Sequence, residues 1–194
     1  MSKVKRRIID AAIELYNLHG VRKITTRHIA ANLSISAGNL HYHFKHTEDI
    51  VKTIFNDLAG EYADLLHALE HQYEFNMTLL ADFILVSFRI INRYRFIFLH
   101  FVEITIWIPD IKILYHDLAV KREKQVLNFL KRMSAQGSFR NDLSEHDWSI
   151  IVQQIYVISD FWLSSNEINK QLKGIEAEKS YMDVMLSVFK PYII

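Results

Sequence analysis

The side chains best equipped for chemistry are histidines and carboxylates: His41 and His43 near the N-terminus, and His100, Glu103, His116 and Asp117 in the second half. Their spacing supports little. His41 and His43 stand two residues apart, and on a helix such residues point to different sides, so they make no metal-ligand pair. The other four show no catalytic pattern, and the sequence has no glycine-rich phosphate loop, nucleophile elbow or HExxH arrangement. The expectation is a protein that is not an enzyme and holds no metal or cofactor. Hydrogen-bonding chemistry has a better candidate in the run Ser36, Ala37, Gly38, Asn39. The Asn39 amide can meet an adenine edge with two hydrogen bonds, and Ala37 and Gly38 leave room for close approach. Thr26, Arg27, Tyr42, His43 and Lys45 lie near it in sequence with groups suited to phosphate or groove-edge contact.

Two short helices and a tight turn would position these residues. Thr25 or Thr26 can cap a helix whose apolar positions Ile29, Ala30 and Leu33 face inward. Asn32, Ser34 and Ser36 break the periodicity and mark a turn, after which Ser36 can cap a second helix from about Ala37 to His43. Leu40 and Phe44 then point back to the core. So short a turn suggests helix-turn-helix geometry, in which the second helix lies in the major groove of duplex DNA. A preceding helix over residues 3–19, with Val4, Ile8, Ala11, Leu15 and Leu18 on one stripe and Gly20 as its stop, would brace the pair. Its Lys3, Lys5, Arg6 and Arg7 can reach phosphates or form a basic tail. Residues 1–50 hold eight Lys and Arg against four Asp and Glu, and five of the ten histidines, so the positive excess sits at this end.

From residue 5 to 50 the chain resembles the DNA-binding domain of the tetracycline-repressor (TetR) family of bacterial transcription regulators. The resemblance is carried by IIDAAIELYNLHG, TTRHIA, SAGNL, YHFK and EDI, collinear without a gap. It departs from the family's usual pattern at Ser34, where a turn glycine is common, at His41, where a tyrosine is common, and at Thr47, where a lysine often meets phosphate. The resemblance adds His41 and Thr47 to the candidate DNA contacts. It also implies a homodimeric repressor on a palindromic double-stranded operator, released by a small-molecule effector. RYRF at Arg93–Phe96 is similar to a sequence in some TetR-like C-terminal domains and identifies no ligand.

The remainder reads as helix throughout. Half of the 194 residues are hydrophobic, while Gly and Pro number only five and two, and no cysteine is present. Absent cysteines suit a reducing cytoplasm, and no signal peptide is visible. Phe83 to Ile108 is strongly apolar but is interrupted by Arg89, Arg93, Arg95, His100 and Glu103, so a buried segment is expected rather than a membrane span.

Thr47 can cap a helix running from Glu48 to about Tyr73 with Ile50, Val51, Ile54, Phe55 and Leu58 inside. A second helix is expected from Asn76 to Asn92, a break near Arg93 or Tyr94, then YRFIFLHFVEITIW up to Pro109, which opens a helix from Asp110 to Gln136 closed by Gly137. Ser144 and Asp147 form a capping-box start to a run with Trp148, Ile151, Ile155, Ile158 and Trp162 on a heptad-like stripe. After a polar loop around Ser164 to Gly174, a last helix from Glu178 to Tyr192 repeats the stripe with Tyr181, Met185, Val188 and Tyr192.

The expected architecture is all-α, with about nine helices: a three-helix DNA-binding domain over residues 1–50 and a helical effector-binding and dimerisation domain over 51–194. The two late stripes would form a four-helix dimer seam, or else pack inside the monomer. Phe98, His100, Glu103 and Trp107, the last three on one helical face, are the expected ligand contacts for a mostly apolar molecule; a packed core with a satisfied polar pair is the alternative. A ligand-independent dimeric DNA-binding or architectural protein is the competing function. An enclosed apolar cavity of several hundred Å³ would separate the two.

Overall fold

The computed structural model describes residues 2–194. Ten α-helices and a final 3-10 turn make up its regular structure, with no strand among the described residues and only an isolated bridge between Phe139 and Ile193. The chain gathers into two compact units: one runs to Gly60 and takes in Arg93–Leu114, the other comprises Glu61–Asn92 and Tyr115–Ile194. The first unit therefore holds more than the N-terminal fifty residues.

In the first unit, α1 (Lys3–His19) is capped by Ser2, whose side chain accepts from the Lys5 N–H, and ends at Gly20, which takes φ 83°. Its buried face is Ile8, Ile9, Ala11, Ala12, Ile13 and Tyr16, which keeps Ile8 and Ala11 of the expected stripe but turns away from its ends: Val4 is 38% and Leu18 75% exposed. The rotation follows Tyr16, whose ring packs 5.0 Å from Phe96 and draws the 8, 12, 16 ridge inward. α2 (Thr26–Asn32) and α3 (Ala37–His43) enclose a turn through Ser34 at φ 54°. Ser34 N–H bonds the Ala31 carbonyl and Ile35 N–H the Ala30 carbonyl, a paired closure that satisfies the end of α2.

α4 (Thr47–Glu70) begins one residue earlier than expected, and Thr47 is not its cap; the Asp49 carboxylate reaches back to accept the His46 N–H at 3.0 Å. α5 (Met77–Arg93) ends where a break was expected. The aromatic segment after it divides in two, α6 (Arg95–Leu99) and α7 (Phe101–Trp107), which raises the count above nine. Asn17 of α1 explains where α6 begins. Its Nδ2 donates to the Arg93 carbonyl at 2.9 Å and its Oδ1 accepts the Phe96 N–H at 3.0 Å, so a distant side chain sets that terminus. α8 (Pro109–Ala135) opens on the proline and closes before Gly137 at φ 81°.

The second unit is built from the later turns of α4, most of α5, α8 beyond Leu114, α9 (Glu145–Asn169), α10 (Gly174–Ser187) and the 3-10 turn Lys190–Tyr192. Ser144 and Asp147 make the expected reciprocal cap, and the Ser144 hydroxyl and backbone N–H, both donating to the Asp147 carboxylate, hold its carboxyl below the ordinary range. α9 continues through Ser164, where a polar loop was expected. The short connection after it is organised by buried Asn166, whose amide both donates to and accepts from the backbone of Leu172. α10 starts earlier than expected and stops at Ser187, and Pro191, lacking an N–H, suits the tighter turn that follows. Two aromatic clusters fill the core: Phe88, Trp162 and Tyr181, and Phe139 stacked on Phe189 at 5.7 Å beside Trp148.

Candidate nucleic-acid interface and effector cavity

Ser36 accepts the Asn39 N–H at 3.1 Å and so fixes the first turn of α3. Leu40 and Phe44 are buried at 1% and 3% exposure, which commits the opposite face to solvent: Ala37, Gly38, Asn39, His41 and Tyr42 are all exposed. Tyr42 is 86% exposed, its ring edge-on to His43 at 5.2 Å. Arg27 and Lys45 are exposed, while Thr26, His43 and Thr47 are half-buried. All ten candidate contacts thus lie on α2, α3, the link after α3 and the first turn of α4. The His28 ring accepts the Thr25 N–H through Nδ1 at 3.1 Å and so helps cap α2. The basic N-terminus is partly used up by packing: Arg6 pairs with Asp57 at 2.8 Å, and Lys5 Nζ sits 4.9 Å over the Phe44 ring. Lys3 and Arg7 remain exposed.

Of the four residues expected to bind a ligand, Glu103 and Trp107 meet Arg22 instead. Its guanidinium reaches Glu103 at 3.2 Å and lies 4.7 Å over the Trp107 ring, while His100 Nδ1 is 3.5 Å from the same carboxylate. Phe98 is buried. The one-face spacing of His100, Glu103 and Trp107 is realised, but as an ion-pair cluster at the surface of the first unit. Arg22, in the loop after α1, is the partner that spacing along one helix could not reveal.

A partly open cavity lies elsewhere, wholly within the second unit. Tyr62 and Leu66 of α4, Phe83 and Ser87 of α5, Arg122 of α8, and Tyr156 and Ser159 of α9 contribute to its wall, with none of the four expected residues among its lining. Free space inside is about 40 Å³, far below the several hundred expected of a ready-formed site. Arg122 is only 8% exposed, its guanidinium 4.8 Å from the Tyr62 ring and 5.3 Å from that of Tyr156. The Arg122 Nε and the Tyr156 hydroxyl are buried without hydrogen-bond partners. Burial pushes the Tyr156 hydroxyl up to about 12 against the opposing charge of Arg122, and drives Tyr62 well above its ordinary value for the same reason. Asp160 is also buried; burial raises its pKa, while the Tyr115 hydroxyl it accepts and the charge of Arg122 oppose that rise.

The expected dimer stripe is largely core. Trp148, Ile151, Ile155, Tyr181 and Met185 are at most 8% exposed within the chain itself, and Trp162 is half-buried against Phe88 and Tyr181. Ile158, Val188 and Tyr192 instead line an open groove with Ile150, Gln153, Gln154 and Val157. α9 is apolar on two sides, so the heptad-like run marked the inner one. The outer one, Ile150 (37% exposed), Val157 (55%) and Phe161 (45%), has its own helical spacing of seven and four and was legible but overlooked.

A family profile described as "Bacterial regulatory proteins, tetR family" matches residues 8–54, and one named TetR and described as "Bacterial transcriptional repressor" matches residues 58–194. Among solved structures, a TetR-family transcriptional regulator from Marinobacter aquaeolei VT8 aligns at TM-score 0.88 and 21% identity over 100% of this chain and 92% of its own. The ketosteroid transcriptional regulator KstR2 of Mycobacterium tuberculosis aligns at TM-score 0.75 and 16% identity, covering 100% of this chain and 97% of its own. SmeT, the repressor of a Stenotrophomonas maltophilia multidrug efflux pump, gives 0.72 and 16% over 98% and 90%, and has also been solved as a triclosan complex. A search among curated proteins found no match. At these identities the structural likeness speaks for the fold.

Proposed function

The chain belongs to the TetR family of bacterial transcriptional regulators, non-enzymatic DNA-binding proteins, and from that premise we propose that it represses transcription as a homodimer on a palindromic operator and is released by a mostly apolar small molecule. The observation that carries the DNA-binding half is the outer face of α3. Its residues are small or hydrogen-bonding and exposed, while Leu40 and Phe44 anchor the helix from behind. Asn39 is the base reader in this reading; Thr26, Arg27, His41, Tyr42, His43, Lys45 and Thr47 hold phosphate or groove edges, and Ala37 and Gly38 allow the approach. Residues 1–50 are the DNA-binding domain and 51–194 the effector and dimerisation domain. Two-fold pairing through the outer faces of α9 and α10 would set two recognition helices at a fixed spacing. No helix among the described residues is long and apolar enough to cross a membrane, and work on an operator belongs in the cytoplasm.

Effector release would act through the cavity, because α4, which starts at Thr47, supplies Tyr62 and Leu66 to its wall. A ligand that fits only a widened cavity shifts the protein by its differential affinity for that state. The small free space favours a second reading, a ligand-independent dimeric DNA-binding protein. In vitro selection from random duplexes tests the first claim: a palindromic consensus is expected, and recovery of no consensus contradicts it. Repeating operator titrations with cavity ligands separates the two readings, since release by any of them excludes the second.

A further inference from the structure

Arg122 is out of place in the cavity wall. It lies within Lys121, Arg122, Glu123, Lys124, where its three neighbours are exposed and Arg122 alone is buried. A guanidinium is always protonated, so burial cannot remove its charge. Among the described residues no carboxylate lies within ion-pair distance of it. Asp160, the one buried acid among the described residues, feels the charge of Arg122 but is engaged by Tyr115 and is absent from the cavity lining. The guanidinium carbon lies over the Tyr62 and Tyr156 rings, and its Nε is buried without a hydrogen-bond partner, a donor that a planar acceptor would satisfy. Tyr156, whose hydroxyl is buried and unpaired as well, lines the same cavity, so two residues of its wall carry a donor without an acceptor.

We propose that this cavity is a carboxylate site, and that its ligand is an amphipathic monocarboxylic acid whose head pairs with Arg122 and Tyr156 and whose alkyl or aryl tail lies against Leu66, Phe83, Phe129 and Met185. The inference rests on reading the cavity as the effector site and adds the chemical class of its ligand. A neutral hydrocarbon would leave both donors unpaired, and a cation would meet Arg122 directly. A carboxylate answers both and matches the guanidinium fork in shape. Free space of about 40 Å³ admits a small head group but is far too little for a tail. The tail therefore enters by displacing side chains, with the flexible thioether of Met185 the easiest to move. Head-group pairing and widening of the wall are thus one event.

The test uses the full chain and a ligand ladder of octanoate, decanoate, 4-phenylbutyrate, octanol and octyl phosphate, read by calorimetry and thermal shift. At least one carboxylate is expected to bind about ten- to a hundredfold more tightly than octanol, the scale of a charge-assisted pair. Arg122→Met removes an unpaired buried charge without emptying its volume. It is expected to fold with unchanged or higher Tm, to lose that preference and to retain octanol binding; Tyr156→Phe is expected to lose a smaller part. Equal binding of carboxylates and octanol, tighter binding of octyl phosphate, no binding at all, or an undiminished preference in Arg122→Met overturns the proposal. Operator affinity is measured beside each titration. Carboxylate binding that leaves the operator complex intact sustains the site and refutes effector release, whereas an operator-binding protein that takes no carboxylate refutes the site alone.

Discussion

The helix-turn-helix and the α9–α10 region are both short on glycine and rich in apolar residues, yet α3 carries one apolar face and α9 carries two. α3 has one inward pair, Leu40 and Phe44, and one outward face, and its first turn is fixed by Ser36. α9 is apolar inside along Trp148, Ile151 and Ile155, and apolar again outside along Ile150, Val157 and Phe161. Where one face is apolar, periodicity identifies it as the core side. Where two are, periodicity finds both and cannot say which meets the chain's own core and which is left for a partner.

The largest effect expected from that contrast is at Ile151, 1% exposed and away from the cavity lining that holds Arg122. Ile151→Glu would bury an unpaired carboxylate and cost roughly 3–5 kcal/mol, read as a loss of cooperative unfolding by circular dichroism. A folded, dimeric Ile151→Glu would break the inner-face assignment. The outer face predicts the opposite phenotype. Val157→Glu with Phe161→Glu is expected to keep the monomer folded, to give monomers in sedimentation, and to weaken operator binding on the order of a hundredfold as two-site engagement is lost. An unchanged dimer would show that the seam lies elsewhere.

Much of the first unit was legible because its signals are local. Ser36, Gly20 and the turn at Ser34 each act on backbone within a few residues, as do Ser144 and Gly137 in the second unit. The misreadings were long-range. Asn17 sets the start of α6 from α1, Arg22 claims Glu103 and Trp107 from the loop after α1, and Asn166 turns a serine- and asparagine-rich stretch into helix by holding the loop beyond it. Arg122 was hidden by its charged neighbours, since a run of Lys, Arg and Glu reads as a solvated face until packing shows one member buried.

Local signals also predict smaller effects. Ser34 stands at φ 54°, so Ser34→Gly relieves left-handed strain and is expected to stabilise the protein by about 1 kcal/mol, checked by urea unfolding. No gain would mean that the Ser34 side chain repays the strain. Ser144→Ala removes the hydroxyl hydrogen bond, the larger of the two that hold the Asp147 carboxyl low, and leaves the one from the backbone N–H of residue 144. A depressed folded-state pKa contributes stability above the unfolded value, near pH 4, and loses it as pH falls toward the folded one. The Tm deficit of Ser144→Ala is therefore expected at neutral pH and should shrink in acid, whereas a deficit independent of pH would remove Asp147 from the account.

The proposal turns on α3 reading sequence, and Asn39 is its most exposed commitment. Fluorescence anisotropy of the selected operator, titrated at fixed salt with the native protein and Asn39→Ala, measures it directly. The expected result is a loss of roughly 1–3 kcal/mol on the consensus, confined to one adenine position in each half-site, with nonspecific affinity unchanged. Equal affinity of the native protein for every duplex, or an Asn39→Ala variant that binds and discriminates as the native protein does, would contradict it.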